Sequence, residues 1–298
     1  MRAGAPYDQH HDPHGPQLDE LRIDIGMTES LTTSCGLSKS EWLVPASAVL
    51  RLCLSTEAGV ERRVPWGRLP DVVDELGRGV RSSPSFRGRR GFPGWYWAST
   101  VGGLVGFESW VARDHLVALD FDASVVGLVS QPFWLCWTGA GGQRRRHVPD
   151  FLVRRADGAV MVLDSRSAEL IGERDREAFA VTGRACAAVG WRYAVWDRLD
   201  GVVVANQRWL AGYRHPRCFD EHVAARLLEV FNRPRALMDG AELVGDPLGV
   251  LPVLYHLLWK QQLVADLAVV LSHRTMVKAV HDRADLGSRP GSSREPLR

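Results

Sequence analysis

Apolar and polar positions change rhythm several times along this chain, and each rhythm predicts an element. Residues 47–66 alternate around Thr56-Glu57-Ala58-Gly59, which predicts a hairpin closing at Pro65. A short helix is expected at 69–79, then an aromatic and arginine-rich connector over 81–100. Phe107, Trp110, Val111 and Leu119 recur at helical spacing, so 107–122 is read as a helix. The run 125–137 is strand-rich. Asp157-Gly158 separates the apolar runs Phe151–Val153 and Val160–Leu163, a hairpin signal over about 146–166. A helix over 173–190 closes at Gly190, and 191–196 reads as another strand. This order predicts a mixed α/β core. Beyond it, 219–232, 234–244 and 248–262 carry helical patterns, and 263–280 reads as two strands. Together these elements predict a small winged-helix-like lobe. The organisation expected is a flexible leader (1–41), a main α/β domain (42–215), the lobe (216–281) and a disordered tail (282–298).

Composition narrows the class. Of 298 residues, 45% are hydrophobic and 24% charged, as in an ordinary globular protein. No apolar run reaches the length of a membrane span, and no secretory signal is read at the start, so no membrane role and a cytoplasmic location are expected. Five scattered cysteines without a CxxC support neither a disulfide frame nor a zinc site. His10, His11 and His14 are read as part of a polar tail rather than as metal ligands.

Net charge is only +2, so any polyanion contact must be local. Arg81, Arg87, Arg89 and Arg90 stand together without an acid, among Phe86, Phe92, Trp95, Tyr96 and Trp97. Arg144, Arg145, Arg146, Arg154 and Arg155 surround Asp150 alone. Such patches suit a phosphate backbone, which makes Arg87, Arg89, Arg90, Arg144, Arg145 and Arg146 candidate DNA contacts. The plainer alternative is a solvated face.

The 146–166 hairpin carries charge where a buried strand should be apolar. Asp150, after Pro149, opens the first run; Asp164 and Arg166 close the second. Asp164 and Arg166 are two residues apart and share a strand face, and pairing brings Asp150 beside them. Two adjacent carboxylates repel unless a cation joins them. Mg²⁺ prefers oxygen ligands and often uses one or two carboxylates with water and phosphate oxygens. A structural ion pair of Asp164 with Arg166, or a turn cap by Asp150, is the plain alternative.

The spacing Pro149-Asp150 then Asp164-x-Arg166 resembles the PD-(D/E)xK nuclease signature, with arginine in the lysine position. The stretch "GFESWVARDHLVALDFDASVVGLVSQPFWLCW" resembles the TnsA-like endonuclease subunits of heteromeric transposases. There a helix glutamate precedes a "QP" strand and then the PD strand; Glu108, Gln131-Pro132 and Asp150 keep that order. The resemblance covers residues 81–215 and continues more weakly into the lobe. It implies a restriction-endonuclease-like mixed sheet flanked by helices, with Glu108, Asp150 and Asp164 holding Mg²⁺ or Mn²⁺. Arg166 takes the catalytic lysine position. It further implies nicking of one strand at each transposon end, with an integrase-like transposase subunit and an ATPase regulator as partners. The arginine is a departure, because it keeps its charge where lysine can lose a proton. No lysine lies between Lys39 and Lys260 to replace it. Two rivals follow: a non-catalytic assembly subunit that retains the fold, and a stand-alone defence or repair nuclease. His115 is read as more ordinary than catalytic, His147 beside the arginine run stays undecided, and Gln131 is read as structural. The lobe is expected to dock a protein through exposed Trp259, Lys260, His273 and Arg274.

Overall fold

The computed structural model describes residues 51–55, 61–68, 92–139 and 141–280. The leader 1–41, the helix expected at 69–79, Arg81, Arg87, Arg89, Arg90 and the tail 282–298 lie outside the described residues.

Two four-stranded sheets form the centre of a mixed α/β structure. The first contains β1 (Arg51–Ser55), β2 (Glu61–Pro65), β6 (Trp134–Thr138) and β7 (Arg144–His147), all antiparallel, with β7 at one edge. The second contains β5 (Val125–Ser130), β8 (Phe151–Arg155), β9 (Val160–Ser165) and β10 (Arg192–Trp196), in the order β10-β9-β8-β5. The β8–β9 turn falls on Asp157-Gly158 as the dipeptide predicts, with Gly158 at φ +82°. β10 lies parallel to β9 because a helix, α2 (Glu173–Ala188), carries the chain back between them. That helix ends at Gly190, whose φ of +74° suits glycine.

Alternation divides the second sheet between two cores. Phe151, Val153 and Leu163 face one cluster; Leu152 and Val162 face the other. The second cluster contains Phe133, Leu135, Trp137 and the α2 residues Ala178, Val181, Ala185 and Cys186. Trp66 closes it, donating its indole N–H to Ala185 O and packing edge-on to Phe133 at 5.4 Å. The sheet is buried on both faces, so its strands read as continuous apolar runs.

The helix expected at 107–122 begins later. β3 (Gly94–Ala98) and β4 (Gly103–Phe107) form a hairpin, and α1 runs from Trp110 to Phe121. Ser109 caps α1 by accepting the Ala112 N–H at 3.1 Å, so Glu108 sits at the strand–helix junction rather than on the helix. Trp110 is 48% exposed; the inward face is Ala112, His115, Leu116 and Leu119. The described end of the expected connector therefore carries a strand, β3.

Buried Asp120 on α1 fastens the hairpin turn. It accepts from the Tyr96 hydroxyl (2.9 Å), the Ser99 and Thr100 N–H groups (3.0 and 2.7 Å) and both their hydroxyls (3.2 and 2.7 Å). Five donors offset the cost of burying this carboxylate. Burial and the Asp120 charge together push the Tyr96 phenol up.

One helix is absent from the sequence expectation: α3 (Gly201–Ala211), started by Asp200, whose side chain accepts from Val202 and Val203 N–H. The lobe follows as α4 (Glu221–Val230), β11 (Arg235–Ala236), α5 (Leu237–Val244), α6 (Pro247–Trp259), β12 (Leu263–Ala265) and β13 (Met276–Ala279). β13 pairs with both β11 and β12. The expected helices and strands of this part all occur. Its apolar residues join the same buried cluster as α1 and β8. Trp259 is a correction: it is 3% exposed, packs on Phe121 at 5.2 Å and donates to Ser99 Oγ at 3.1 Å. Gln261 donates to Phe121 O at 2.6 Å, and Asn206 on α3 bonds to Leu267 O and Val269 O. Lys260, His273 and Arg274 are exposed as expected.

Truncating a buried tryptophan loses its apolar area and leaves a cavity, at a cost of about 3–5 kcal/mol. Trp259→Ala should therefore melt well below the parent, with lobe and α/β core unfolding in one transition. Circular dichroism and calorimetry measure both. An unchanged melting temperature, or two resolved transitions, contradicts the continuous core.

Candidate active site

The β8–β9 register pairs Phe151 with Leu163 and Leu152 with Val162. Continued one step, it sets Asp150 opposite Asp164, on the face turned towards α2. Asp150 Oδ2 accepts the backbone N–H of Ser165 at 2.8 Å. Its own backbone O accepts the N–H of Gln131 at 2.8 Å. Gln131 is buried and holds φ +48°, an uncommon left-handed conformation for a residue with a side chain. This turn between β5 and β6 fixes the start of β8.

Asp164 is the more deeply buried of the two, at 4% exposure. Its Oδ2 accepts from His147 Nε2 at 2.9 Å and from the Tyr193 hydroxyl at 2.6 Å. His147 comes from β7 and packs edge-on to Phe179 at 6.0 Å. Tyr193 comes from β10, in register with Val162. Strands from both sheets thus meet at one oxygen. All three of these side-chain hydrogen bonds fall on an Oδ2 atom.

Electrostatics ties the group together. Burial, then the Asp164 charge, pushes the Asp150 carboxyl up to about 7; Glu108 adds in the same direction, while the Ser165 N–H and His147 oppose it. Burial pulls the His147 imidazolium down, but Asp164, with Asp150 and Asp175, outweighs it, and the net shift is upward. Burial and the Asp164 charge also push the buried Cys186 thiol up to about 12, which keeps it protonated.

The structure brings Asp150 and Asp164 together and places Glu108 within electrostatic reach of Asp150. β9 ends at Ser165, and the Arg166 N–H continues the pairing with β10 by donating to Trp196 O at 3.0 Å. Its guanidinium is 45% exposed and pairs at 3.2 Å with Asp175 on α2, the helix that Asp150 and Asp164 face. Of the arginine run, Arg144 and Arg146 are exposed and Arg146 covers the Trp134 ring at 4.5 Å. Arg145 points the other way and pairs with Glu177 at 3.7 Å. His115 is buried between Ser165 Oγ (2.8 Å) and Asp197 O (2.7 Å). A carbonyl only accepts, so Nε2 carries the proton and Nδ1 accepts from Ser165. Burial holds its pKa down to about 4, so this histidine is neutral and structural.

No protein-family model matches the chain, and no curated protein matches it. The site therefore stands on its own chemistry. Among the described residues no three His, Cys, Asp or Glu side chains converge as a ready-made metal cage. Two carboxylates that repel each other, set across a hairpin with Glu108 in electrostatic reach, do fit a hard cation. Mg²⁺ commonly takes one or two carboxylates and completes its shell with water and phosphate. Sequence reasoning left His147 undecided and overlooked Tyr193, because both reach Asp164 across strand neighbours that only the fold defines.

The raised Asp150 pKa has a sign in stability. The folded carboxyl keeps its proton up to about 7 while the unfolded one ionises near 3.8, so stability falls as pH rises through that window. Asp150→Asn removes the titration yet keeps an acceptor for Ser165 N–H. In EDTA it should melt above the parent at pH 8, with the gap closing towards pH 4. A gap independent of pH contradicts the repulsion.

Proposed function

We propose that this chain is a divalent-metal-dependent DNA endonuclease with a restriction-endonuclease-like core and a winged-helix-like lobe, acting as the nuclease subunit of a heteromeric transposase. The observation that carries this is the carboxylate pair Asp150–Asp164, held across the β8–β9 hairpin beside Glu108. The order Glu108, Gln131-Pro132, Asp150, Asp164 along the chain agrees with the TnsA-like pattern and supports the assignment. Asp150 and Asp164 would hold Mg²⁺ or Mn²⁺, with Glu108 adding negative charge at the same place. Such a cation supplies Lewis-acid stabilisation of charge on a phosphate.

Hydrolysis adds water to phosphorus and breaks one P–O bond of one strand. Arg166, at the rim, meets the phosphate. Its present partner costs little to leave, because an exposed ion pair is worth ~0–1 kcal/mol. Arg144 and Arg146 grip the backbone without reading sequence, with Arg87, Arg89 and Arg90 assigned to the same task from their positions in the chain. The site acts in the cytoplasm on transposon ends, beside an integrase-like transposase subunit and an ATPase regulator. Among the described residues no helix is long and apolar enough to cross a membrane. The Arg166–Asp175 pair favours one second reading, a non-catalytic assembly subunit that retains the fold.

Nicking of transposon-end DNA by the full chain with its transposase partner, with and without Mg²⁺, tests the proposal. Asp150→Ala should abolish Mg²⁺-dependent nicking while the protein stays folded; activity equal to the parent refutes the site.

Arg166 separates the two readings. Arg166→Ala should slow nicking by about 10²–10³ if its charge stabilises the transition state, and Arg166→Lys should retain more activity. Rates equal to the parent in both variants would make Arg166 structural.

A further inference from the structure

We infer that His147 and Tyr193 are positioning residues that orient Asp164 towards a bound divalent cation. This rests on the metal-dependent reading of the carboxylate pair and adds to it two residues outside the motif. Both donors reach the same atom: His147 Nε2 and the Tyr193 hydroxyl lie 2.9 and 2.6 Å from Asp164 Oδ2. A carboxylate turns freely about its Cβ–Cγ bond. Two donors arriving from different strands fix that torsion and leave Oδ1 with one direction. The Ser165 N–H has the same effect on Asp150, again through Oδ2. Both acids are thereby anchored through Oδ2, which holds the rest of each carboxylate at a fixed angle to the site.

The supports are themselves fixed. The His147 ring stands edge-on to Phe179, and β7 holds it in register with Leu135. Tyr193 lies on the strand parallel to β9, packed against the α2-side core. Neither residue touches the proposed cation; each acts through Asp164. Partners of this kind typically change metal affinity by about 10–100-fold when removed.

Calorimetric titration of the full chain with Mn²⁺ alone tests this without DNA or turnover. The parent should bind, and Tyr193→Phe should bind at least about tenfold more weakly. His147→Gln keeps an N–H donor and should bind more tightly than His147→Ala. Tyr193→Phe affinity equal to the parent overturns the inference while leaving the metal site standing. Should Tyr193→Phe fail to fold, the two His147 variants decide, and equal affinities overturn the inference. Asp150→Ala that binds Mn²⁺ as the parent does, or a parent that binds none, overturns the metal reading and this inference with it.

Discussion

Two like charges held side by side at the end of a buried hairpin are the constraint around which this molecule is arranged. The β8–β9 register sets Asp150 across from Asp164, and neither can move without breaking the apolar alternation behind it. Unrelieved, such a pair is costly. The structure answers with a backbone N–H on one acid, and a histidine and a tyrosine on the other. What repulsion remains appears as the raised pKa of Asp150. A cation would relieve it, and a site that gains from binding a cation is what metal-dependent phosphate chemistry needs.

The same logic recurs away from the site. Asp120 is buried and satisfied by five donors of the β3–β4 hairpin, whose far end delivers Glu108. Ser99, one of those donors, also accepts from Trp259 of α6. A continuous path of buried contacts thus runs from the lobe to the strand before Glu108. The lobe belongs to the core physically, although its chain texture differs.

Much of this was legible beforehand. Asp157-Gly158 fixed the hairpin because few dipeptides suit that turn. Gly190 marked the end of α2, and the order of helices and strands in the lobe followed its hydrophobic periods. Asp150 and Asp164 stood out because charged residues at the ends of apolar strands are uncommon. The partner of Arg166 was not legible, because its ion pair with Asp175 joins a strand end to a helix and depends on how α2 packs on the sheet. Trp259 misled because a tryptophan at the end of a helical stripe carries no label for which neighbour will cover it.

By itself, then, the sequence determined local geometry and the identity of the acids: turns, caps, strand alternation and the Asp150–Asp164 pairing are set by near neighbours. The tertiary structure alone decided what meets those acids. His147 and Tyr193 lie 17 and 29 residues from Asp164 along the chain, and they arrive through β7 in one sheet and β10 in the other. Such long-range contacts depend on which strands become adjacent, and adjacency is settled by packing two cores at once rather than by any local pattern.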